Sequence, residues 1–76
     1  MVQTIEKIMA EVLNKSEADI TDDLTMDDIE AWDSLKHMDL ILSLEQAFSI
    51  ELTIDEIIIM NSVVAIKKVL DNRGVL

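Results

Sequence analysis

The sequence predicts an all-α fold: a small four-helix bundle, three longer helices and one short one, with a long ordered loop between helices 1 and 2. Three observations lead there. Apolar residues recur with helical period in separated segments. Proline is absent and the one glycine, Gly74, stands near the end, so the chain lacks the punctuation that short strands and tight turns need. Ser, Thr or Asp stands immediately before three of the four segments, where helix N-caps are found. At 76 residues the chain is expected to be a single domain, 1–76, with 50% apolar residues to build its core. A domain this small buries only about 60% of its unfolded surface, so its stability will be modest.

The first helix is expected over roughly residues 2–15, because Ile5, Ile8, Met9 and Val12 stand at i, i+3, i+4 and i+7. Ser16 to Trp32 is acidic and has no sustained helical period. Ile20, Leu24, Ile29 and Trp32 are spaced along it as anchors that would pin an ordered loop to the core. The second helix should run from Ser34 to about Phe48 with Asp33 as N-cap. Thr53 and Glu56 have capping-box spacing, which favours a short third helix over 54–60. A strand through Ile57-Ile58-Ile59 is the alternative, but no second strand is evident to pair with it. Asn61-Ser62 opens the fourth helix. Its apolar face is Val63, Ile66, Val69 and Leu70, with Arg73 in its last turn and Gly74 at C′.

Charge and composition exclude several functions. The formal net charge is −10, which opposes nucleic acid and anionic membranes and favours basic protein partners. The N-terminus has no cationic region followed by an apolar core, so no signal peptide is expected. No apolar run approaches the roughly 18 residues of a membrane span. A soluble, cytoplasmic monomer is the expectation. Without Cys, the chain has no disulfide and no thiol chemistry of its own. It is not expected to be an enzyme. His37 is the sole His, no Gly-rich phosphate loop occurs, and Asp33, Ser34 and His37 are too local to make a triad. In the loop, Asp19, Thr21, Asp23, Asp27 and Glu30 match EF-hand positions 1, 3, 5, 9 and 12. Position 6, which requires Gly for the sharp turn, is Leu24, and no metal site is assigned.

The second helix carries more apolar surface than one buried stripe needs. At about 100° per residue, His37, Leu40, Ile41, Leu44, Ala47 and Phe48 form a core stripe. Leu35, Met38 and Leu42 form a second stripe, bordered by Asp39, Glu45 and Gln46. Packing under the third helix would explain that stripe, and so would docking of a partner. Ser34 likewise has two readings. It is an ordinary residue for a helix start, or it carries a phosphate ester. The helix dipole and free N–H groups would stabilise such an ester by about 0.3–1 kcal/mol. Lys36 and His37 stand close in sequence as counter-charges. Serine phosphorylation would suit the same geometry.

The stretch "WDSLKHMDLILSLEQAF" resembles the acyl carrier protein family, including the peptidyl and aminoacyl carrier domains. The shared pattern is Asp33-Ser34-Leu35 at a helix start, then an apolar helix ending in Leu44-Glu45 through Phe48. The likeness in element order extends over essentially the whole chain. It implies that Ser34 bears 4′-phosphopantetheine, placed there from coenzyme A by a phosphopantetheinyl transferase. The arm's thiol would hold acyl or aminoacyl groups as thioesters for ligase, synthase or transferase enzymes. Leu35, Met38, Asp39, Leu42, Glu45 and Gln46 would then meet partners. The resemblance also allows an acyl chain to be sheltered among Ile41, Leu44, Met60 and Ile66, for which core packing is the simpler reading. Lys36-His37, Trp32 and the apolar Ile57-Ile58-Ile59 depart from the common fatty-acid carriers. They favour a specialised lipid, polyketide or related pathway. The alternatives are a helical docking module with no prosthetic group and an EF-hand-like calcium protein.

Overall fold

The computed structural model describes residues 4–76. Four α-helices follow in order: α1 (Ile5–Leu13), α2 (Ser34–Phe48), α3 (Ile54–Ile59) and α4 (Val63–Asn72). No strand is present among the described residues. The short third element is helical because Thr53 and Glu56 close the expected box. The Glu56 N–H donates to Thr53 Oγ1 (3.2 Å), and the Thr53 N–H donates to Glu56 Oε1 (2.9 Å).

Helix α1 is shorter than its apolar pattern suggests. Thr4 caps it, its hydroxyl accepting the Lys7 N–H at 3.1 Å; the expected start at residue 2 lies outside the described residues. The helix ends at Leu13 instead of residue 15, because Asn14 turns left-handed (φ 56) and the Lys15 N–H reaches back to the Ala10 carbonyl (2.9 Å). Its buried face is Ile5, Ile8, Met9 and Leu13, with Ala10 beside them; Val12 is only half-buried. The inward line thus runs to i+8 instead of i+7.

The segment between α1 and α2 is ordered, and the anchors hold it. Ile20 and Trp32 are buried, while Leu24 and Ile29 are half-buried. It also contains two single 3-10 turns, Glu17–Asp19 and Met26–Asp28. Turns of one repeat leave no periodic signature in a sequence. The loop is stitched to the start of α4: the Met26 N–H donates to the Asn61 carbonyl (2.9 Å), and the Val63 N–H donates to the Leu24 carbonyl (3.0 Å). Lys67 adds an outer staple, pairing with Glu6 of α1 (2.8 Å) and Asp22 of the loop (2.6 Å). These hydrogen-bonded pairs lower the Glu6 pKa and raise that of Lys67. The groups are partly exposed, so the staple adds little stability.

Helix α2 buries His37, Leu40, Ile41 and Leu44. Phe48 is half-buried, but Ala47 is exposed, contrary to its place in the core stripe. Ala47 faces an open groove between α1 and α2 that Ile8, Val12 and Gln46 also line, and its methyl is too short to reach across. Ile41, Leu44, Met60 and Ile66 are core residues with at most 1% exposure. In α4, Ser62 caps the start by accepting the Ala65 N–H (3.2 Å), and Val63, Ile66, Val69 and Leu70 face inward as expected. The helix stops at Asn72, so Arg73 lies just past its last turn. Gly74 adopts φ 75, letting the Val75 N–H bond the Leu70 carbonyl (3.2 Å) and the Gly74 N–H bond the Asp71 carbonyl (3.0 Å).

Candidate functional site

The start of α2 is built by Asp33. Its backbone is extended, and its Oδ1 accepts the Lys36 N–H at 2.9 Å. Because the cap comes from Asp33, the Ser34 hydroxyl is not consumed by helix initiation. Ser34 is exposed, and its side chain makes no hydrogen bond among the described residues. The Ser34 and Leu35 N–H groups likewise have no partner there, as the first turn of a helix dictates. An exposed hydroxyl beside free N–H donors, at the positive end of a 15-residue helix, can hold a phosphodiester without displacing any bond of the fold. The residues present therefore fit such a group.

The flanking cations divide. Lys36 is exposed and available to an anion. His37 is not: it turns inward with 8% exposure. Its Nδ1 accepts the indole N–H of Trp32 at 3.0 Å, and its Nε2 lies 2.9 Å from the Ile57 carbonyl. An indole only donates and a carbonyl only accepts, so this imidazole is the neutral Nε2–H tautomer. The expectation of His37 as a phosphate counter-charge is therefore replaced by a structural role. Its membership of the buried stripe holds. The sequence signal that could have shown this is Trp32, a buried donor in need of an acceptor, five residues upstream.

The second stripe of α2 is uncovered. Leu35 is 73% exposed, Met38 46% and Leu42 54%, so α3 does not lie over them. Asp39 and Gln46 are exposed beside them. Glu45 is partly committed: its Oε2 accepts the Leu52 N–H at 2.8 Å. Sequence reasoning missed three further apolar residues on α3, with Ile54 76%, Ile58 66% and Ile59 57% exposed. The run of isoleucines was itself the signal, since a helix of under two turns cannot direct consecutive residues all inward.

Helix α3 is held by polar contacts. Glu56 is paired with Arg73, whose Nε donates to Oε2 at 2.8 Å and whose Nη2 bonds Oε1. These bonds from Arg73, with the Thr53 N–H, pull the Glu56 pKa from 4.5 to about 2. Elsewhere, the carboxylates of the loop go separate ways. Asp22 meets Lys67, Asp23 accepts the Thr21 hydroxyl, and Asp28 accepts the Thr25 N–H. Among the described residues no three acidic or imidazole groups converge on a metal-sized site, and no described helix is long and apolar enough to cross a membrane.

Comparison with protein families gives one match that spans most of the chain. The family described as phosphopantetheine attachment site matches residues 3–70. No curated protein matches the chain.

Proposed function

Because the chain belongs to the phosphopantetheine attachment family, a family of carriers bearing a covalent 4′-phosphopantetheine arm, we propose that Ser34 is the residue that takes the arm. The single observation that carries this is the exposed, unbonded Ser34 hydroxyl at the start of α2, inside Asp33-Ser34-Leu35. In the transfer the Ser34 Oγ attacks the phosphorus that bears the pantetheine in coenzyme A. The Oγ–P bond forms and the bond to the bridging pyrophosphate oxygen breaks. The adenosine bisphosphate half leaves, and the hydroxyl proton passes to a base of the transferase. The arm supplies the thiol that the chain's own residues lack. The residues of this chain would orient and steady the ester: Asp33 fixes the first turn, the free N–H groups and the exposed Lys36 are the donors that would hold a phosphate there, and the helix dipole would add about 0.3–1 kcal/mol.

The cargo is an acyl or aminoacyl thioester, loaded by a ligase or transferase and consumed by a synthase. A specialised lipid, polyketide or related pathway suits the chain better than bulk fatty-acid synthesis. Support for this comes from the apolar exterior of α3 and from Lys36, which puts basic character beside Ser34. Leu35, Met38, Asp39, Leu42 and Gln46 form the partner face on α2, with Glu45 at its edge. The setting this reading takes is a cytoplasmic monomer that visits separate enzymes.

Intact-mass measurement tests the assignment. With coenzyme A and a broad-specificity phosphopantetheinyl transferase, the wild type should gain one phosphopantetheinyl group and Ser34→Ala none, while Ser34→Ala stays folded on its Asp33 cap. Addition at Ser16, Ser43, Ser49 or Ser62 would refute it. No addition at all would favour a helical docking module without a prosthetic group.

A further inference from the structure

Trp32 to His37 form a closed bracket around Ser34. The His37 N–H donates to the Asp33 carbonyl (2.8 Å), at the first turn of α2. The His37 Nδ1 accepts the Trp32 indole N–H (3.0 Å). The span is therefore closed through the backbone and again through side chains. Its outer end is anchored, because Trp32 is buried and its own backbone N–H donates to the Ile29 carbonyl (3.1 Å). Its inner end is anchored by the His37 Nε2–H, which donates to the Ile57 carbonyl of α3 (2.9 Å). Ser34 is exposed and its side chain makes no hydrogen bond among the described residues. The bracket alone sets its place.

A core does not need this device. Among the described residues His37 is the one buried polar or charged side chain. An apolar side chain there would bury as well and require no partners. The imidazole needs a donor facing Nδ1 and an acceptor facing Nε2–H, and it has both. A fully satisfied polar group in a core rigidifies its surroundings, where apolar packing alone tolerates several arrangements. The chain's single Trp and single His are bonded to each other, and they flank the one serine that the attachment reading singles out.

We propose that His37 is a positioning residue for transfer of the phosphopantetheinyl group: by tying Trp32 and α3 to the first turn of α2, it holds the Ser34 hydroxyl where the transferase can align it with the reacting phosphorus. The inference rests on Ser34 being the attachment site. In the transfer the Oγ–P bond forms as the P–O bond to the adenosine bisphosphate half breaks, and the hydroxyl proton goes to a base of the transferase. His37 is buried and bonded at both ring nitrogens, so it takes no part in that proton transfer. It acts through the backbone it holds. Attack on phosphorus needs the oxygen close and in line with the leaving group, and a misplacement of about 1 Å can lower the rate on the order of a hundredfold. The loss belongs in kcat. A loosened first turn still presents the same surface to the enzyme, but fewer of its conformers have the oxygen in line.

The test is steady-state modification of the apo chain by a broad-specificity phosphopantetheinyl transferase with coenzyme A. His37→Leu removes both side-chain bonds, and Trp32→Phe removes the indole donor. His37→Asn places an amide oxygen near the position of Nδ1 and keeps the indole bonded. The first two should each lower kcat about tenfold with KM within about twofold, while His37→Asn should stay within about threefold of the wild-type kcat. Because one bond links the two side chains, the Trp32→Phe/His37→Leu pair should fall well short of the about hundredfold loss that independent effects would give. Val69→Ala, a core change on α4, controls for stability alone: its unfolding midpoint should drop, with kcat within about twofold of wild type. Nitrogen NMR should find the indole N–H signal of His37→Asn close to that of the wild type and displaced in His37→Leu. Unchanged kcat in Trp32→Phe and His37→Leu, with Ser34 still modified, overturns the inference and leaves the attachment site standing. An equal fall in Val69→Ala, or a loss carried by KM alone, reduces His37 to a structural residue and also overturns it. If His37→Leu does not fold, the other two variants decide: a loss in His37→Asn as large as that in Trp32→Phe overturns the inference. Failure of the wild type to take the group at Ser34 overturns both readings.

Discussion

The pairing of Trp32, His37 and Ile57 shows how one side chain is settled by partners far apart in sequence. His37 accepts from the indole and donates to the carbonyl, so a replacement must satisfy both or leave buried groups stranded. His37→Leu is expected to destabilise the fold by about 1–3 kcal/mol per stranded group. Trp32→Phe deletes the indole donor and leaves the Ile57 bond in place. Denaturant unfolding of the two variants measures the difference, and nitrogen NMR of the imidazole should show the proton on Nε2 in the wild type. Ser49 is a second single-residue case. It ends α2 in the left-handed region (φ 56) with the Ile50 N–H bonded to the Glu45 carbonyl (3.1 Å). A side chain is strained there, so Ser49→Gly should raise stability by up to about 1 kcal/mol, read from the unfolding midpoint. The caps at Asp33, Thr53 and Ser62 were legible in the sequence because capping is decided within three residues. The true role of His37 was not, because its partner Ile57 lies 20 residues away.

At the scale of elements, α2 carries two apolar stripes with opposite fates, and stability should separate them. Leu44→Ala removes a side chain with no exposure and should cost about 2–5 kcal/mol. Leu35→Gln changes a 73% exposed residue and should stay within about 0.5 kcal/mol, yet slow transfer of the arm. Thermal denaturation and the initial modification rate, measured side by side, decide this. The clamp on α3 should be acid-sensitive. The Glu56 carboxyl titrates at about 2 in the folded chain against an ordinary 4.5, so a folded value below the unfolded one makes its contribution complete above 4.5. That contribution fades as pH falls from there toward 2. The stability gap between wild type and Arg73→Gln should therefore be widest near neutrality and close across that interval, as followed by denaturant unfolding at stepped pH. Existence, order and type of the four helices were legible from period and caps. The end of α1, the exposure of Ala47 and the two 3-10 turns were not. Each depends on where the chain meets a neighbour: Asn14 reversing the backbone, α1 leaving an open groove beside α2, and the loop being sewn to α4.

At the scale of the whole molecule the governing quantity is charge. With 16 acidic and 6 basic residues, the surface should accelerate encounter with basic enzymes, so the modification rate should fall as salt screens it. Asp39→Lys should slow it further at low salt. Calcium should bind only diffusely and be released by physiological salt, which calorimetry with and without salt can establish. A second consequence follows from the way α3 is fastened. Its hold on the fold comes from Leu52, Glu56 and Ile57, which bond Glu45, Arg73 and His37, while Ile54, Ile58 and Ile59 stand in solvent. Polar substitutions there are expected to stay within about 0.5 kcal/mol of wild-type stability, as thermal denaturation can check. Such a segment can change its side chains without disturbing the fold that positions the start of α2.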